Sequence, residues 1–170
     1  MLNPEKAFFE REIMRNLNLS PSSTNYALKN LYKSKCLLRE KKGRMCFYSI
    51  NKDNPYIPQL KVMFNLLVIE QLVEKLKNFS AKIVLFGSWA NGTDAVESDI
   101  DLYIVASHKD KILSIINEYP LPSSIKNRKI QPIIYTPQEL LEKNEKNTVF
   151  LKKIEKGLIL WEKEINESNL

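Results

Sequence analysis

Apolar positions recur along this chain with two different periods, and the change from one to the other divides it. In REIMRNLNLSPSSTNYALKNLYKSK, the residues Ile13, Leu17, Leu19, Ala27, Leu28 and Leu31 fall at helical spacing, which predicts two helices around a tight turn. Ser20 before Pro21 reads as an N-cap followed by proline at the first helical position, where a missing N–H costs nothing. The second helix is therefore expected from Pro21 to about residue 35. Thr24, Ala27, Leu28 and Leu31 would face inward, and Ser22, Ser23, Asn25, Tyr26, Lys29 and Lys33 outward. CLLREKKGRMCFYSI then alternates with period two, predicting two short strands around Lys41-Lys42-Gly43-Arg44.

Residues 57–79 return to a helical pattern after the proline-punctuated entry NKDNPYIPQL. Met63, Phe64, Leu66, Leu67, Val68 and Ile69 make its middle apolar on nearly every side. A helix that touches one domain needs one apolar stripe, so two packed faces are expected here, the second against the N-terminal segment or a symmetry mate. Beyond it the pattern predicts a strand at 82–86, a short helix from Ser88, a strand at 100–106, a helix at 109–118 and a strand at 128–135. Thr136-Pro137-Gln138-Glu139 is a capping box that opens another helix. A helix around 149–156 and the short strand LILWE complete an α/β sheet domain.

Charge adds a second division. The net charge of +6 over 170 residues is not spread evenly. Residues 1–50 hold ten Lys/Arg and four Asp/Glu, whereas residues 51–170 hold sixteen of each, so the whole excess lies in the first fifty. A basic head on a neutral body points to a polyanionic partner for the head. Cys36, Cys46 and the single histidine, His108, show no metal-ligand spacing, and both cysteines read as small hydrophobes. No leader is read, and the longest apolar stretch, MFNLLVIEQLV, is too short and interrupted to span a bilayer. The expectation is a reduced, cytoplasmic protein without a membrane partner.

The chemistry concentrates in LFGSWANGTDAVESDIDLYIV, residues 85–105. Residues two apart on a strand share a face, so Asp99 and Asp101 would present both carboxylates to one side while Ile100, Leu102 and Ile104 face a core. Two like charges brought together call for something positive between them. Paired hard oxygens suit Mg²⁺ (or Mn²⁺) shared with substrate phosphates. Gly87 would let the backbone approach a ligand closely, and Ser88 opens a helix whose free N–H groups favour an anion. Trp89 and Tyr103 read as packing residues.

GSWANGTDAVESDIDL resembles the G-S-x-x-x-G-T…S-D-I-D-L motif of the minimal nucleotidyltransferases, relatives of polymerase beta and the aminoglycoside nucleotidyltransferases. The resemblance covers about residues 66–161. It implies an α/β (α+β) sheet flanked by helices and transfer of a nucleoside monophosphate from an NTP to a hydroxyl, with release of pyrophosphate. Carried over by position, Gly87 and Ser88 bind nucleotide, and Asp99 and Asp101 are catalytic and hold metal. Residues 4–50, as helix, turn, helix and basic-tipped hairpin, are similar to the winged helix-turn-helix of transcription regulators. That family implies a second helix in the major groove of duplex DNA and a wing on phosphates. Ser22, Ser23, Asn25, Tyr26 and Lys29 would approach bases, with Lys41, Lys42 and Arg44 on the backbone. Winged helices open with a further helix, for which only Met1-Leu2-Asn3 precede Pro4. Its place is expected to fall to the long helix, a partner subunit or residues beyond this sequence. The implied organisation is a winged domain over 1–54, a connecting helix over 55–79 and a nucleotidyltransferase-like domain over 80–170, with a homodimer as one expected assembly.

One position departs from the family. Active nucleotidyltransferases carry a third carboxylate on the neighbouring strand, and RKIQPIIYT offers Gln131 there, expected to point toward Asp101. Pro132 beside it lacks a ladder N–H, which suggests an edge or bulge. Asp94, Glu97 and Asp110 are read in loops. Two functions follow: an enzyme that nucleotidylates a nucleic acid, a small molecule or a partner protein (as an antitoxin-like nucleotidyltransferase does), or a DNA-binding regulator whose degenerate domain senses nucleotide without turnover.

Overall fold

The computed structural model describes residues 6–142 and 148–163. The chain divides into two units, Met1–Leu60 and Lys61–Leu170. Residues 1–5, including the expected start of the basic domain at Pro4, lie outside the described residues.

The first unit runs β1 (Phe8–Phe9), α1 (Glu10–Leu17), α2 (Pro21–Lys33), β2 (Leu37–Lys42) and β3 (Met45–Ile50), with an antiparallel sheet in the order β1-β3-β2. Asn18 closes α1 in the left-handed conformation at φ 51°, and Leu19 N–H donates to the Met14 carbonyl at 3.1 Å, which makes the turn tight. The Ser20 hydroxyl accepts from Ser23 N–H at 3.1 Å, so the N-cap forms at the expected residue. Gly43 at φ 61° is the first residue of a two-residue hairpin loop between the partners Lys42 and Met45, the position where a type II′ turn requires glycine.

Three features differ from expectation. The helix α2 stops at Lys33, because Lys35 turns left-handed at φ 59° and Cys36 N–H caps the Leu31 carbonyl at 3.0 Å. Its buried stripe is Thr24 and Leu28 alone, while Ala27 is exposed and Leu31 is 42% exposed. The sheet has only three strands, one of two residues, and offers room for a single i, i+4 stripe. The strand β1, which pairs Phe8 with Tyr48, has too few residues to carry a period.

The helix α3 (Tyr56–Lys77) buries Asn65, Ile69, Leu72, Val73 and Leu76, one continuous stripe. Met63, Phe64 and Leu67 lie outside that stripe and are exposed on the single chain. The rest of the second unit comprises β4 (Lys82–Phe86), α4 (Gly87–Asn91), β5 (Ile100–Val105), α5 (Lys109–Glu118), β6 (Ile130–Tyr135), α6 (Pro137–Glu142), α7 (Thr148–Glu155) and β7 (Leu158–Glu162). Its sheet has the order β6-β5-β4-β7, with β5 and β6 parallel and the other pairs antiparallel. The parallel pair is joined through α5, as such a crossover requires. The capping box forms as expected: Thr136 N–H donates to Glu139 Oε2 at 2.8 Å, and Glu139 N–H to Thr136 Oγ1 at 3.2 Å.

Alternation along β4 and β5 sorts side chains onto two faces. Ile83, Leu85, Ile100, Leu102 and Ile104 are fully buried on one. On the other, Val84, Phe86, Tyr103 and Val105 cluster with Ile154 of α7, and Ile133, Tyr135 and Leu140 pack against them. Asp101 lies on this second face, opposite Phe86 on β4 and Gln131 on β6. No helix among the described residues is long and apolar enough to cross a membrane.

Candidate functional site

The strand β4 turns directly into α4 at Gly87, whose φ of 72° is a left-handed conformation that an L side chain adopts at a cost. The turn also brings the Gly87 Cα against the Asp101 carboxylate. A Cβ at this position would overlap Asp101 Oδ2 and stand 3.3 Å from Asp101 Cγ. Glycine is thus required twice, by conformation and by the carboxylate packed on it. Ser88 follows as the second residue of α4, and its carbonyl accepts from Thr93 N–H at 3.0 Å, closing a short helix that ends on Gly92 at φ 66°.

Asp99 stands one residue ahead of β5, so its proximity to Asp101 does not come from the strand ladder itself. Their closeness is visible in their electrostatics. The Asp101 carboxyl is held above its ordinary range, first by burial and then by the negative charge of Asp99, while Lys153 of α7 pulls it back down. Lys153 adjoins Ile154, whose burial against Val84 and Phe86 fixes α7 on this face of the sheet. The charge expected near the two aspartates is therefore supplied in part by Lys153, which the sequence pattern did not single out.

Gln131 is the lateral neighbour of Asp101 in the β5–β6 ladder. Its amide nevertheless donates to Asp99 Oδ2. The expected approach to Asp101 is corrected in this respect: from its edge strand the Gln131 side chain reaches Asp99, and the Asp101 carboxylate is packed on Gly87. Pro132 sits within β6, which is an edge of the sheet. Among the described residues, no three His, Cys, Asp or Glu side chains cluster as a metal site. Two adjacent carboxylates match what Mg²⁺ or Mn²⁺ takes from protein when phosphates and waters complete the shell.

Of the acids read in loops, Asp94 and Glu97 do lie in the loop between α4 and β5, and Asp110 does not. Asp94 is not an available third carboxylate, because its side chain is 1% exposed and pairs with Arg128 Nη2 and Lys61 Nζ, each at 3.1 Å. Asp110 belongs to the first turn of α5. Asn65 also donates to Asp94 Oδ1 at 3.1 Å. Sequence did carry a signal for this cluster. An asparagine inside the apolar run MFNLLV and a lysine one turn earlier are costly in a buried helix unless a partner awaits them.

In the first unit, Ser22, Tyr26 and Lys29 project from α2, with Tyr26 72% exposed, and Lys41, Lys42 and Arg44 are exposed at the tip of the β2–β3 hairpin. Two of the outward residues of α2 are engaged within the unit. Ser23 Oγ accepts from Ser20 Oγ at 2.9 Å, and Asn25 Nδ2 donates to Glu10 Oε1 at 3.1 Å. Lys42 pairs with Glu40 at 3.1 Å on the same strand.

The site is thus a strand-to-helix turn with glycine packed against one of two neighbouring carboxylates, on a mixed sheet. Comparison with family models makes it specific. The model described as polymerase beta, nucleotidyltransferase matches residues 69–166, and the chain belongs to that family. Comparison with curated proteins gives no match.

Proposed function

We propose that the chain is a DNA-binding nucleotidyltransferase, with a winged helix-turn-helix over 1–54, a connecting helix over 55–79 and the transfer domain over 80–170. The observation that carries the transfer reading is the packing of the Asp101 carboxylate on Gly87 with Asp99 beside it. Asp99 and Asp101 would hold Mg²⁺ or Mn²⁺, which neutralises phosphate charge and, as a Lewis acid, eases attack at phosphorus. Gly87 leaves the backbone open to the triphosphate, and the Ser88 hydroxyl and the first N–H groups of α4 bind its oxygens. The acceptor hydroxyl forms a bond to the α-phosphorus, the bond to the bridging oxygen breaks, and pyrophosphate leaves. Gln131 takes no proton, so the acceptor's proton passes to water. General-base assistance is worth about 10²–10⁴-fold, and slow turnover is the expected consequence. Most of what remains is positioning and charge stabilisation.

Support for duplex DNA as partner of the first unit comes from the exposed Ser22, Tyr26 and Lys29 on one helix and Lys41, Lys42 and Arg44 on one hairpin tip. Segregation of the whole +6 excess into residues 1–50 agrees with it. The test is incubation with α-labelled NTPs and Mg²⁺, with duplex DNA and cell lysate as acceptor sources. Label transferred to a nucleic acid or a protein, and lost in Asp99→Asn, supports the enzyme. A second reading, a regulator that binds nucleotide without turnover, is favoured by the Gln131 amide on Asp99. Metal-dependent NTP binding with no labelled product would establish it, and no NTP binding at all would refute both.

A further inference from the structure

Burying an aspartate and an arginine together carries a desolvation penalty that an apolar pair of similar volume avoids, so stability alone does not select such a pair. Asp94 and Arg128 are buried in this way, with side chains 1% and 3% exposed, and the transfer reading gives neither a task. Their contacts suggest one. Arg128 Nη2 donates to Asp94 Oδ2 at 3.1 Å while Nη1 donates to the Ser98 carbonyl at 2.8 Å. Its guanidinium lies over the Trp89 ring, 4.8 Å from the centroid. Asn65 Nδ2 donates both to the Trp89 carbonyl and to Asp94 Oδ1, each at 3.1 Å. The backbone of the next residue, Lys129, accepts from Ile100 N–H at 2.8 Å.

Trp89 adjoins Ser88, Ser98 adjoins Asp99, and Ile100 lies between the two aspartates. The cluster therefore grips the chain on both sides of the candidate site without entering it. We infer that Arg128, oriented by Asp94, is a positioning residue that fixes where Asp99 stands relative to Ser88 and Asp101. This inference rests on the two-aspartate reading of the site. A planar fork holds two oxygens at a set angle and stacks on an aromatic face, which an ammonium does not do. Arg128→Lys keeps the buried charge opposite Asp94 and gives up that geometry.

The test measures Mn²⁺ binding by electron paramagnetic resonance, with ATP present, in the full chain and in Arg128→Lys. Groups that orient metal ligands are worth about 10–100-fold in metal affinity, and a loss of that size is expected with the thermal midpoint little changed. The pair replacement Asp94→Asn with Arg128→Met, which removes both buried charges and leaves only the partly exposed Lys61 without its carboxylate, should lose affinity likewise. Ile112→Val, in the buried face of α5, is the control: it lowers the midpoint and leaves affinity alone. Hydrogen exchange of the metal-free protein should show residues 95–100 less protected in Arg128→Lys. Wild-type affinity in both variants, or unchanged protection of that segment, would overturn the inference. A wild-type chain that binds no Mn²⁺ would instead remove the two-aspartate reading, and the exchange measurement would still decide whether Arg128 holds the segment.

Discussion

Replacing Gly87 by alanine isolates the feature on which the site depends. Two costs follow from the structure. Holding an L residue at φ 72° costs about 1–2 kcal/mol relative to glycine. The added methyl also displaces the Asp101 carboxylate, since it would overlap Oδ2 and stand 3.6 Å from Asp101 Cβ. Turning that side chain off its rotamer costs roughly another 1 kcal/mol. A total near 2–3 kcal/mol corresponds to a midpoint roughly 8–15 °C lower for a unit of this size. Calorimetric unfolding measures the first quantity, and titration of ATP with Mn²⁺ measures what the displacement does to binding, which should fall well below wild type. A double-mutant cycle separates the two costs. In an Asp101→Ala background the backbone penalty persists and the steric part vanishes, leaving a coupling of about 1 kcal/mol. Equal penalties in both backgrounds, or wild-type nucleotide affinity in Gly87→Ala, would refute the claim that glycine is there to seat the carboxylate.

Two further predictions address charge. Because burial and Asp99 raise the Asp101 pKa, the folded chain holds that proton more tightly than the unfolded chain, and stability falls as pH rises through this range. Asp101→Asn should therefore unfold at higher temperature than wild type at neutral pH, with the difference closing below about pH 4; a constant difference across pH would reject this. Lys153→Gln removes the positive charge that lowers the Asp101 pKa, so the pH at which Mn²⁺ binding begins should move upward, and an unmoved profile would show that Lys153 does not act on the site. At the other end of the chain, Lys41→Ala or Arg44→Ala should weaken duplex binding on every sequence and reduce the salt dependence by about one unit, whereas affinity independent of salt would exclude the electrostatic reading of the basic head.

How far these features could be read in advance follows from their physics. Local patterns were legible: α5 forms over Lys109–Glu118, β4 over Lys82–Phe86 and β7 over LILWE, and the Ser20 and Thr136 caps form where their spacing puts them. Gly87 and Asp101 were legible because a rare conformation and a charged strand mouth each leave a mark on composition. Partners joined across long separations were not. Asp94 reads as a loop residue until Arg128, thirty-four positions away, and Lys61, thirty-three positions the other way, close on it. On α3 the ambiguity was of another kind. Its apolar residues outnumber the stripe that the sheet can cover, and composition alone does not say which of Met63, Phe64 and Leu67 stays out.

The two aspartates posed a question of balance, and the structure answers it unequally for each. Asp99 is met by a neutral donor, the Gln131 amide, and Asp101 by a nearby lysine and by the glycine that crowds it. These are different kinds of restraint. An amide donor stabilises the Asp99 charge only while the Gln131 side chain stays turned toward it, and a cation bound at Asp99 Oδ2 would have to displace that hydrogen bond. Displacement exposes the amide carbonyl, a hard oxygen that can face a metal as well as a carboxylate oxygen can, but without negative charge. Under the proposed function, Gln131 would suit a site that binds one cation with a nucleotide and would be poorly matched to a second. On the proposed transfer reading, deprotonation of an acceptor hydroxyl depends on that second charge or on a base, so the same residue that would leave nucleotide binding intact would limit transfer.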